Sequence, residues 1–111
     1  ADRLPAPQDW AEPIGPRDLW CDVPQHPAYN HDVHAPFAAS HEPLRRADPL
    51  YDLVILTDWN WPRAEKGRGS AIFVHRWRRP GFPTAGCVAM SPENLLWLAA
   101  RIRYETRLIV P

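Results

Sequence analysis

Proline placement constrains this chain more than any other feature. Nine of its 14 prolines fall within residues 1–49, running through "LPAPQDWAEPIGPRDLWCDVPQHPAYN" and beyond. Each proline fixes its own φ, removes a backbone donor and pushes the preceding residue away from the helical region. Long helices and long strands are therefore not expected before residue 50. The same stretch carries Trp10, Trp20 and Tyr29, more aromatic mass than a free linker would hold. It reads as an ordered, irregular coat that packs through its aromatic residues. At 111 residues the chain is long enough for one domain with a single core, so residues 1–111 are read as one unit.

The second half has a regular pattern. "LYDLVILT" (50–57) is a short apolar run rich in β-formers, which predicts a strand buried on both faces. "DWNWPRAEKGRG" (58–69) has the polar, Gly and Pro content of a connection. "SAIFVH" (70–75) predicts a second strand ending in His75, and "RWRRPGFPTAG" (76–86) a loop. Ser91, Pro92 and Glu93 supply an N-cap, a proline at the first helical position and an acid in the first turn. Leu95, Leu98, Ala99 and Ile102 follow at helical spacing, predicting a helix to about residue 102. "TRLIV" (106–110) predicts a closing strand. Strand, strand, helix, strand behind a coat makes an α+β fold dominated by sheet.

Composition removes several function classes. Thirteen Lys and Arg balance 13 Asp and Glu, so no global field recruits nucleic acid or an anionic membrane. No apolar run approaches the ~18 residues a membrane span needs, and no secretory leader opens the chain. Cys21 and Cys87 are too few for a disulfide framework or a four-thiolate zinc site, although one disulfide between them is an open alternative. His26, His31, His34 and His41, with Asp22 and Asp32 nearby, have the residue types of a zinc site. No periodicity places them on one face, so they read as surface histidines and no metal is assigned.

"GFPTAGCVAMSPENLLWL" (81–98) carries the chemistry. His75 ends a predicted strand and Cys87 ends the loop after it, 12 positions later. A loop of that length can fold back and bring the two side chains to one edge of the sheet. A free thiol of pKa ~8.5 is mostly protonated at neutral pH, whereas the thiolate is the nucleophile. A histidine within reach either takes the proton or holds a thiolate–imidazolium pair. Gly86, without a Cβ, lets backbone N–H groups approach a tetrahedral oxyanion. The competing reading of Cys87 is a buried apolar filler.

"GSAIFVHRW" followed by "PTAGCVAMSPENL" resembles the catalytic segment of the L,D-transpeptidase (YkuD-like) family. That family places a His at a strand end, then a Ser/Thr-His-Gly-Cys element. His75 matches the motif His, Thr84 the Ser/Thr, Gly86 the Gly and Cys87 the nucleophilic Cys. Ala85 stands in place of the second His, making the element Thr-Ala-Gly-Cys, and Ala89 in place of an Arg or Asn. "LWCDVPQHPAYN" and "LYDLVILTDWNWP" are similar to a branch of the same family, so the likeness runs over most of residues 15–98.

The resemblance implies a mixed sheet or sandwich with one helix after the cysteine. It also implies that the family's N-terminal strands fall outside this chain, leaving an open sheet edge and self-association as expectations. For the site it implies Cys87 as nucleophile and His75 as base, with Gly86 and Thr84 serving the oxyanion and substrate. Tyr29 and Asn30 would line the cleft, flanked by Trp59 and Trp61. Arg79, beside Arg76 and Arg78, would meet stem-peptide carboxylates, although these arginines also suit a solvated loop. The implied partners are peptidoglycan stem peptides in the periplasm or cell envelope, with no metal or cofactor. The implied reaction is acyl transfer through a thioester, ending in a cross-link or in carboxypeptidase cleavage. The alternative is a non-catalytic peptidoglycan-binding domain on the same scaffold, which Ala85 and Ala89 favour. An activated Cys87 should be alkylated faster than a model thiol at pH 6–7, and a structural one should not.

Overall fold

The computed structural model describes residues 7–81, 84 and 86–109. The proline-rich half proves to be built on a sheet. Strands β1 (Asp18–Cys21), β2 (Asp32–His34) and β3 (His41–Pro43) form an antiparallel sheet in the order β2-β1-β3. The sequence reading expected an irregular coat here, without long strands. Strands of three or four residues fit between the prolines, and Pro43 lies on edge strand β3, where a missing N–H is tolerated. Leu19, Trp20 and Cys21 of the central strand are all buried.

A second sheet contains β4 (Ile55–Leu56), β5 (Phe73–Arg76) and β6 (Val88–Met90), in the order β4-β5-β6. β4 runs antiparallel to β5, and β6 runs parallel to it. The strand expected over 50–57 is cut short, because Asp48 and Pro49 start a 3-10 helix, Pro49–Tyr51. Asp48 Oδ1 accepts the Leu50 N–H at 3.1 Å, and the proline pre-sets the first turn. That local cap outweighs the β-propensity of the apolar run.

The helix after Cys87 forms as its caps predict. α1 (Pro92–Ala99) starts at Ser91, whose Oγ accepts the Asn94 N–H at 3.1 Å. Leu95 and Ala99, one turn apart, are its buried residues. Gln8 reaches across from the coat and donates from Nε2 to the Ala99 and Ile102 carbonyls at 2.7 and 2.8 Å. The Ala99 carbonyl is one of those a helix end leaves without an intrahelical partner. The closing strand expected over 106–110 does not form within residues 106–109, and residue 110 lies outside the described residues. Ile109 is 82% exposed, so no burial drives pairing there. Among the described residues the fold is α+β, mostly strand, with two sheets and one α-helix.

Both sheets contribute to the core of Trp20, Leu44, Leu50, Tyr51, Ala71 and Phe73. Phe73 is 1% exposed and meets Trp20 edge-on at 4.9 Å and Tyr51 at 6.1 Å. Cys87 packs against this cluster.

Arg46 grips Asp48 with a two-bond fork, Nε to Oδ1 at 2.9 Å and Nη2 to Oδ2 at 2.7 Å. That hydrogen bonding holds the carboxyl at about 2, below its ordinary 3.8. A carboxyl depressed on folding adds stability above its unfolded pKa, and this is lost as pH falls through the folded one. The stability that wild type holds over Asp48→Asn should therefore be complete above about pH 5 and vanish between about pH 4 and 2. Denaturant titrations at each pH would measure it; a difference that does not change with pH would contradict the assignment.

Candidate active site

The β5–β6 register sets the geometry. Val74 pairs with Val88, His75 with Ala89 and Arg76 with Met90. Side chains alternate along a strand, so His75 and Ala89 share one face. Cys87 precedes β6 by one residue, and the same alternation puts it on that face with Phe73. His75 and Cys87 accordingly line one cleft of about 400 Å³. Glu42 of β3, Arg46, Tyr51, Arg78 and the exposed Thr84 line it too.

The imidazole of His75 is buried and its tautomer is set by one contact. Nδ1 lies 2.7 Å from the Arg76 carbonyl oxygen, which can only accept. Nδ1 therefore carries a proton, which leaves Nε2 as the nitrogen that can exchange one with the cleft. The Tyr51 ring packs on the imidazole at 5.5 Å, inclined by 60°. Its hydroxyl donates to Glu42 Oε1 at 2.9 Å, and Arg46 sits over the ring at 5.2 Å. Burial, reinforced by the bond to Glu42, pushes the phenol far above its usual value. Tyr51 thus remains a neutral donor at any physiological pH.

Cys87 is half-buried and donates from Sγ to the Ala71 carbonyl at 3.1 Å. Burial pushes its thiol up, the backbone N–H of Phe73 works against that, and the Glu42 charge adds to it. The resting sulfur is a thiol. This differs from the expected activated thiol, and the reason is desolvation: a half-buried site penalises the thiolate. A raised thiol does not fit a preformed thiolate–imidazolium pair.

The approach to Cys87 is a tight turn. Thr84 Oγ1 donates to the Cys87 carbonyl at 2.6 Å and receives the Gly86 N–H at a long 3.4 Å. Gly86 has φ +140°, in the region that favours glycine, and an added Cβ would lie 3.4 Å from Ile72 Cδ1. Position 85 lies outside the described residues.

The structure brings together Cys87, His75 and Thr84, with Gly86 beside them. Arg78 lines the cleft, whereas Arg79 is exposed and outside its lining. Tyr29 and Asn30 are buried at 6% and 2% exposure and lie outside the lining as well. Trp59 and Trp61 border a separate cavity of about 300 Å³. Both cysteines are free thiols, and Cys21 is fully buried. The four coat histidines go separate ways. His34 pairs with Asp18 at 2.9 Å, His26 packs on Phe37, His31 on Trp61, and His41 Nδ1 contacts the Ala39 carbonyl at 2.8 Å. Among the described residues no three His, Cys, Asp or Glu side chains gather as a metal site.

Sequence reasoning missed Glu42, Arg46, Tyr51 and Ala71. The available signal was "HEPLRRADPLY", where Glu, Arg and Tyr surround an Asp-Pro cap just before an apolar run. The chain matches the family model described as the L,D-transpeptidase catalytic domain, YkuD, over residues 3–110. No curated protein and no solved structure matches it.

In the unliganded protein, alkylation of Cys87 by iodoacetamide should follow a pH profile with its midpoint above the ~8.5 of an unstructured cysteine peptide. Glu42→Gln should move that midpoint down by removing a like charge. Peptide mapping separates Cys87 from Cys21. A wild-type midpoint below that of the peptide would show a preformed ion pair instead.

Proposed function

Because the chain belongs to the L,D-transpeptidase (YkuD) catalytic-domain family, we propose that it is a cysteine acyltransferase acting on peptidoglycan stem peptides in the cell envelope. The observation that carries this reading is the shared face of β5 and β6. It sets the Cys87 thiol and the His75 ring, held at Nδ1 by the Arg76 carbonyl, in one cleft. Residues 1–111 act in this reading as one catalytic unit.

The chemistry runs as follows. A stem-peptide amide enters the cleft with its carbonyl carbon over Cys87. His75 Nε2 removes the thiol proton as Sγ bonds to that carbon, and the carbonyl π pair moves onto oxygen. The Gly86 N–H, in a long 3.4 Å contact with Thr84 Oγ1, serves as the oxyanion donor. Collapse expels the terminal residue as an amine, which takes the proton from His75, and leaves a thioester on Cys87. A second amine then attacks the thioester and forms a cross-link; water in its place gives a carboxypeptidase. Arg78, which lines the cleft, has the guanidinium fork suited to a substrate carboxylate.

One observation favours the non-catalytic alternative: the thiol is raised and its S–H bond is directed at a carbonyl. Acylation separates the two readings. A carbapenem, a β-lactam that acylates this family's cysteine, should add to Cys87 in wild type and not to Cys87→Ser, as read by intact mass and peptide mapping. His75→Ala should slow acylation at least about a hundredfold at pH 7. That deficit should shrink at high pH, where hydroxide ionises the thiol unaided. His34→Ala, far from the cleft lining, should change the rate less than about threefold. No adduct on wild-type Cys87, or equal losses at His75 and His34, would leave the binding-domain reading standing.

A further inference from the structure

We propose that Asn30 is a positioning residue for the Cys87 thiol, acting through the backbone of Ala71; the proposal rests on reading Cys87 as the nucleophile. Asn30 is 2% exposed and sits between the two sheets. Its Oδ1 accepts from Trp20 Nε1 at 3.0 Å and from the Ala71 N–H at 2.9 Å. Its Nδ2 donates to the Trp59 and Asn60 carbonyls at 3.0 and 2.6 Å. The amide orientation is fixed by its surroundings, since Oδ1 faces two groups that only donate and Nδ2 two that only accept. Every hydrogen-bonding position of the side chain is in use, so it has no capacity left for a substrate.

Ala71 is the second link. Its N–H bonds to Asn30, and its carbonyl accepts from Cys87 Sγ. Its φ is +54°, a conformation disfavoured for any residue with a Cβ, and it is buried in the core. Such a backbone persists only where its surroundings over-determine it. Here the Asn30 amide grips one side of the peptide and core packing holds the Cβ. The carbonyl that sets the direction of the S–H bond is therefore placed by a residue 41 positions earlier in the chain. Asn30 itself has φ +58°, a region that asparagine tolerates, so its side chain enters the interior from a turn.

Two effects of losing Asn30 have opposite signs, which separates positioning from bulk stability. Releasing the Ala71 carbonyl removes an acceptor that favours the thiol form, so Cys87 should ionise more easily. The same release leaves Sγ unaimed, so attack on a bound acyl donor should slow. The variant is Asn30→Gly, since glycine adopts φ +58° without cost. Its Cys87 alkylation midpoint should move to lower pH, while carbapenem acylation at pH 7 falls at least about tenfold. Leu95→Ala, which hollows the helix–sheet contact away from this path, serves as the stability control and should leave the midpoint in place. The proposal is overturned if Asn30→Gly keeps both profiles within about twofold of wild type, or if Leu95→Ala reproduces the split. Should Asn30→Gly not fold, amide hydrogen exchange on wild type decides. The Ala71 N–H should exchange as slowly as β5 amides, and exchange at a loop rate would overturn the proposal. A wild type that is never acylated removes the proposed activity, yet the alkylation midpoints still test the Asn30 path.

Discussion

Parallel pairing of β5 with β6 determines where each reacting group sits. Three register pairs, Val74–Val88, His75–Ala89 and Arg76–Met90, fix which side chains share a face. A slip of one residue would turn His75 away from Cys87 and send Val74 toward the cleft in its place. The buried neighbours make such a slip costly. Phe73 sits between Trp20 and Tyr51, Val74 is 2% exposed, and Leu95 of α1 closes over the sheet. The cleft is thus a consequence of core packing.

Two groups of the cleft are held protonated: the thiol of Cys87 by burial, and the phenol of Tyr51 by burial and its bond to Glu42. The imidazole is aimed by the Arg76 carbonyl at its Nδ1. The charges of the cleft have partners of their own: Arg46 is paired with Asp48, and Glu42 accepts from the Tyr51 hydroxyl. Under the proposed function, such a site holds a weak nucleophile until a bound acyl group and the histidine act together. Water-exposed thiolate chemistry, including oxidation, is suppressed by the same arrangement.

How far the sequence foretold this depends on whether the signal was local. The helix after Cys87 was readable because Ser91, Pro92 and Glu93 lie side by side and Leu95 and Ala99 follow at one turn. The His75–Cys87 pair was readable from a motif only a dozen residues long. The first sheet was not, because strands of three or four residues between prolines carry no periodicity to detect. The β-rich run at 50–57 misled, because the cap formed by Asp48 and Pro49 overrode propensity. Asn30 shows the limit most clearly. Its likeness to a family stretch pointed to the cleft, whereas its partners Trp20, Trp59, Asn60 and Ala71 become neighbours only in three dimensions.

The central claim is a Cys87 thiol that shares its cleft with a His75 ring whose Nδ1 holds a proton against the Arg76 carbonyl. Heteronuclear NMR of the histidine side chains, with ¹³Cβ shifts of the cysteines, reads both groups in one unliganded sample at pH 8. The account predicts a proton on His75 Nδ1 and a Cys87 ¹³Cβ shift of a reduced thiol. A bare Nδ1 with the proton on Nε2, or a Cys87 thiolate, would contradict it.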